Sequence, residues 1–65
     1  MKILCNSEQR EVAGDTLARV LDELGYAGAV VATAVNGTFV PVKSRRNTPL
    51  KSGDTVEVLA PMQGG

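Results

Sequence analysis

The chain reads as α+β, with one amphipathic helix set between two β-hairpins in the order β-β-α-β-β-β. Leu17, Val20, Leu21 and Leu24 fall at i, i+3, i+4 and i+7, the single apolar stripe of a helix. Asn36-Gly37 directly follows a β-branched, alanine-rich run, and Asn-Gly between apolar residues is the strongest short hairpin signal. Thr55-Val56-Glu57-Val58-Leu59-Ala60 alternates as a half-buried strand does.

The elements follow from the amino end. Lys2 to Asn6 alternates with Ile3 and Cys5 on one face and Leu4 on the other. Asn6-Ser7-Glu8 is turn chemistry, and Gln9 to Val12 returns as a second strand. Asp15 or Thr16 can cap the helix, because a side-chain oxygen there accepts an orphan backbone N–H. Gly25 is suited to end it. Ala29 to Val35 and Thr38 to Val40 form the second hairpin, stopped by Pro41, which has no N–H to give a ladder. Val42 to Pro49 is a polar loop with room for one helical turn. Ser52-Gly53-Asp54 is a tight turn before a last strand running from Thr55 to about Ala60.

This order constrains the topology. The helix stripe needs a sheet face to cover, and the last strand can lie beside and parallel to the first, with the hairpin partners outside. The result is a mixed sheet with one packed helix, the β-grasp arrangement. Ile3, Cys5, Val12, Val56 and Val58 are expected to face Leu17, Val20, Leu21 and Leu24, with Leu50 and either Phe39 or Val40 closing the ends. The outer face is expected to show Leu4, Leu59 and some of Val30, Ala32 and Ala34.

Composition excludes several functions. A domain of 65 residues buries only about 60% of the surface its unfolded chain exposes, which leaves no room for an enzyme's pocket. One cysteine and no histidine make a metal or cluster site improbable and rule out a β-grasp ferredoxin, which needs four ligands. Seven acids balance seven bases, so no footprint for nucleic acid or an anionic membrane appears. No apolar run reaches the ~20 residues that span a bilayer. The amino end lacks the apolar core of a secretory signal, and the unpaired Cys5 suits a reducing cytoplasm. A binding or carrier role is favoured.

Residues 1–60 are read as the domain and 61–65 as a flexible tail ending in Gly64-Gly65. Diglycine is the slimmest tip a chain can carry, able to enter a narrow cleft. Extended, Pro61 to Gly65 reaches roughly 13–14 Å. Gly65 can therefore present its α-carboxylate inside another protein's active site while the body docks outside.

Four segments together resemble the ubiquitin-like sulfur carriers of thiamine biosynthesis, the ThiS family. They are Met1-Lys2-Ile3-Leu4, the Val35-Asn36-Gly37-Thr38-Phe39-Val40-Pro41 hairpin, Leu50-Lys51-Ser52-Gly53-Asp54-Thr55-Val56-Glu57-Val58, and Ala60-Pro61-Met62-Gln63-Gly64-Gly65. The resemblance spans essentially the whole chain. It implies that an adenylating, E1-like partner uses ATP and magnesium to activate Gly65, and that a sulfur-donor relay then makes a thiocarboxylate. Thiazole synthase would receive that sulfur to build the thiazole ring of thiamine. Gly65 would carry the sulfur and Gly64 would give access; no residue of the chain is catalytic and none binds metal.

Other residues invite chemistry less. Cys5 lies on the core face and has no histidine near it in sequence, so it reads as a small hydrophobe. Lys43, Arg45 and Arg46 read as a solvated cluster that could steer acidic partners. Leu4 and Leu59 on the open face are the candidate partner-docking surface. Three alternatives share the fold: the small sulfur-carrier subunit of molybdopterin synthase, a modifier ligated to lysine, and a β-grasp interaction module with an incidental diglycine.

Overall fold

A computed structural model describes residues 1–60. The elements are β1 (Lys2–Cys5), β2 (Glu8–Glu11), α1 (Leu17–Glu23), β3 (Ala32–Val35), β4 (Thr38–Val40), a 3-10 helix (Val42–Asn47) and β5 (Thr55–Leu59). They build one five-stranded sheet in the order β2-β1-β5-β3-β4. β5 is parallel to β1 and antiparallel to β3, so the last strand occupies the centre and both hairpins lie outside it. The β-grasp topology expected from the element order is the one observed.

Both hairpins close on two-residue turns. Asn6 and Ser7 have φ of 50° and 69°, and Asn36 and Gly37 have 50° and 85°, the positive pair that a type I′ turn demands. The first turn is one residue tighter than Asn6-Ser7-Glu8, so β2 begins at Glu8 and Val12 follows it as a buried residue. β3 begins at Ala32 rather than Ala29. The Ala29 N–H donates to the Tyr26 carbonyl in the turn after the helix, leaving Val30 exposed between that turn and the sheet.

At seven residues, α1 is too short to persist alone; packing and caps hold it. Thr16 Oγ1 accepts from the Arg19 N–H. The Leu17 N–H donates to the Thr48 carbonyl and the Leu50 N–H to the Asp15 carbonyl, stitching the helix start to the segment before β5. At the other end the Tyr26 N–H reaches the Leu21 carbonyl and the Gly25 N–H the Asp22 carbonyl. This is a Schellman cap, with Gly25 at φ 94° just beyond the cap residue Leu24.

Ile3, Cys5, Val12, Leu17, Val20, Leu21, Val40, Leu50, Val56 and Val58 form the core, with Leu24, Tyr26, Val31 and Val35 packed partly against it. Burying each large side chain stabilises the fold by about 1.5–3 kcal/mol. Between the two residues expected to close one end, pairing decides. Val40 sits opposite the inward Thr33 and is 7% exposed, whereas Phe39 sits opposite Ala34 and is 65% exposed.

Candidate functional site

The site is the end of β5 from which residues 61–65 continue, together with the outer sheet face beside it. Gly64 and Gly65, and the proposed tail boundary, lie outside the described residues. What the structure describes is how β5 is held. Two asparagines do much of this, and both come from hairpin turns, where their side chains are free to reach backbone. Asn6 Oδ1 accepts from the Val58 N–H at 2.9 Å and Asn6 Nδ2 donates to the Val58 carbonyl at 3.1 Å. The amide thus stands in for a strand residue where β1 has ended. Asn36 Oδ1 accepts from the Thr55 N–H at 2.9 Å, and its own N–H donates to the Thr55 carbonyl.

Asp54, buried just before β5, braces the same strand. Its carboxylate accepts from the Lys51 N–H and from Asn36 Nδ2. The Lys51 backbone bond, then the Asn36 bond, hold its pKa below the usual carboxylate range.

Outward positions follow the strand period. Leu4 and Leu59 both face away from the helix, at 41% and 70% exposure. They are not neighbours. Leu4 pairs with Thr55, four residues before Leu59 along β5, a separation of about 13 Å at strand rise. Leu59 is instead grouped with Ala32, its cross-strand partner, and with the row Phe39–Ala34–Glu57 across β4, β3 and β5. Phe39, left open with Val40 as a residue to close the core, lies instead on this outer face and is a surface candidate that the sequence analysis missed. The two-residue turn at Asn36-Gly37 sets Phe39 opposite Ala34, one of the residues that could lie outside, but the three-residue strand alone did not choose its face.

The basic cluster divides. Lys43 and Arg46 are exposed. Arg45 is half-buried and structural, donating through Nε to Thr33 Oγ1 at 3.0 Å and through Nη2 to the Val31 carbonyl at 2.6 Å. Thr33 Oγ1 in turn donates to the Val40 carbonyl at 2.9 Å, which satisfies a hydroxyl on the inner face. Arg45 therefore ties the 3-10 helix to β3 instead of standing in solvent.

Cys5 is buried, and that burial pushes its thiol pKa up, away from the reactive range. Among the described residues, no group of acids, cysteines or histidines could hold a metal ion, and no helix is long and apolar enough to cross a membrane. The arrangement supplies a firmly held central strand, a face beside its end and no reactive cluster.

Residues 3–65 match the ThiS family. The sulfur carrier protein ThiS of Thermus thermophilus is 43% identical over 65 residues, covering 92% of this chain and 94% of that protein. The crystal structure of the thiamine biosynthesis protein ThiS from Geobacter metallireducens superposes with a TM-score of 0.84 at 30% identity, with both chains fully covered.

Proposed function

The chain belongs to the ThiS family, and from that premise we propose that it is a sulfur carrier for thiazole formation in thiamine biosynthesis, with Gly65 as the carrying residue. The observation that bears most weight is the extent of the family match, which runs through Gly64 to Gly65. A terminal carboxylate has a pKa of about 3.3–3.7, so it is ionised and a poor electrophile at neutral pH. An adenylating partner using ATP and magnesium removes that obstacle. A Gly65 carboxylate oxygen attacks the α-phosphorus of ATP, pyrophosphate leaves, and the acyl-adenylate forms. Sulfide-level sulfur from a donor relay then displaces AMP, leaving a thiocarboxylate whose sulfur is the nucleophile offered to thiazole synthase.

The chain itself acts as carrier and co-substrate, with catalysis left to its partners. Gly64 gives the narrow approach. The face around Leu59 and Phe39 is the docking surface next to the tail; Leu4, some way along the sheet, is peripheral to it. The cytoplasm, which supplies ATP and keeps Cys5 reduced, is the compartment this chemistry fits.

The test is pyrophosphate exchange with the adenylating enzyme of the same host, followed by intact-mass analysis after sulfur supply. Exchange dependent on this chain and an oxygen-to-sulfur mass gain are expected. No exchange with any adenylating enzyme of the host would sink the carrier reading.

A further inference from the structure

Glu57 is a carboxylate in an otherwise apolar setting. It projects outward from the middle of β5 opposite Ala34, whose other cross-strand neighbour is Phe39. With strands about 4.8 Å apart, Phe39 and Glu57 wall a notch floored by the small Ala34, and Leu59 opposite Ala32 closes its end. These residues line a depression of about 120 Å³. Four other carboxylates are engaged: Glu8 with Arg10, Glu11 with the terminal ammonium, Glu23 with the Ala13 and Gly14 N–H groups, and Asp54 as described. Glu57, like Asp15 and Asp22, has no ion pair with any described residue, and of these three it alone stands in the row with Phe39 on the outer sheet face.

We propose that Glu57 receives a cation from the docking partner: an arginine that lays its aliphatic stem over Phe39 and Leu59 and forks its guanidinium onto the carboxylate. Whatever covers Phe39 and Leu59 also strips water from Glu57. A carboxylate shut unpaired into an apolar interface is heavily penalised, so a surface that covers this face tightly must bring donors to this point, and a charged donor compensates the lost water best. Arginine fits better than lysine, since its planar guanidinium both binds a carboxylate through two N–H groups and stacks on an aromatic ring. The identity of the partner as an adenylating enzyme rests on the carrier reading; the charge at the contact comes from the geometry of the notch.

The experiment measures affinity for the host's adenylating enzyme with wild type, Glu57→Gln, Glu57→Arg and Phe39→Ala, each checked for fold by circular dichroism. Glu57→Gln is expected to weaken binding about 30-fold, or about 2 kcal/mol at 1.4 kcal/mol per tenfold, and to flatten its salt dependence. Glu57→Arg should weaken it further and Phe39→Ala should also weaken it. The sign is decisive: a purely apolar partner surface would make neutral Gln bind equally or more tightly, overturning the proposal. Dimerisation of the wild-type chain that Glu57→Gln abolishes would overturn it too, by giving the notch to an arginine of a second copy. Wild-type loading in the same assay separates the two readings, because its failure strikes the carrier reading, whereas full-affinity Glu57→Gln strikes only the arginine.

Discussion

At Gly65 the proposed chemistry depends on one functional group. Appending a single residue converts its α-carboxylate into an amide, leaving nothing at that position to adenylate. Deleting Gly65 keeps a carboxylate on Gly64 but withdraws it by about 3.3–3.6 Å, and a misplacement of 1 Å can cost on the order of 100-fold in rate. Both changes are expected to abolish or nearly abolish thiocarboxylate formation by intact mass while folding persists; normal loading of an unprocessed extended chain would remove Gly65 from its role. Asp54 works on stability. Its folded pKa is depressed by the Lys51 N–H and Asn36 bonds, so the stability it supplies is present above the unfolded value of about 3.9. That stability is lost as pH falls through the lower folded value. Asp54→Asn should be less stable than wild type at neutral pH, and the difference should shrink in acid, as followed by thermal melts across pH. A pH-independent difference would remove this charge role.

Strand register is the element-scale variable on which both faces depend, since a one-residue slip exchanges them. Ile3→Asp or Val58→Asp should unfold the domain, because an unpaired buried charge costs about 3–5 kcal/mol and small domains have roughly 5 kcal/mol to lose. Leu59→Asp should keep the fold and weaken docking, with Leu4→Asp affecting docking less. Circular dichroism and a titration against the adenylating enzyme read both effects, and unfolding by Leu4→Asp would contradict the register. Much of this was legible beforehand, because period-2 alternation in β1 and β5 and the stripe from Leu17 to Leu24 are local signals. Phe39 against Val40 was not, since a three-residue strand has too few alternations to choose a face. Arg45 was missed for another reason: its partners, Thr33 and Val31, are distant in sequence, and charge alone reads as solvent-facing. On the candidate site, the outward placement of Leu4 and Leu59 was legible, whereas the grouping of Leu59 with Phe39 and Glu57 needed the order of strands.

For the whole molecule, one small sheet has one face in the core and the other open, and on the carrier reading the open face is the one offered to partners. α1 and the 3-10 helix lie on the inner side, where Arg45 pins the 3-10 helix to Thr33 and Val31, on the opposite face of the sheet from the outer row of Phe39, Ala34 and Glu57. The central place of β5 then has a mechanical consequence. On the carrier reading, a partner that drew the chain into its cleft along the axis of β5 would pull on Ala60. Against β1 that load acts in shear, so the Leu4 N–H bond to Asp54, the Asn6 N–H bond to Val56 and the paired Asn6 amide bonds to Val58 must yield together. A pull across the strands would instead peel the same bonds one at a time. A central strand such as β5, held on both sides by β1 and β3, resists the axial load with two ladders where an edge strand has one. A small domain, with roughly 5 kcal/mol to lose, would thereby be stiff against a pull along β5, the load that the carrier reading would place on it.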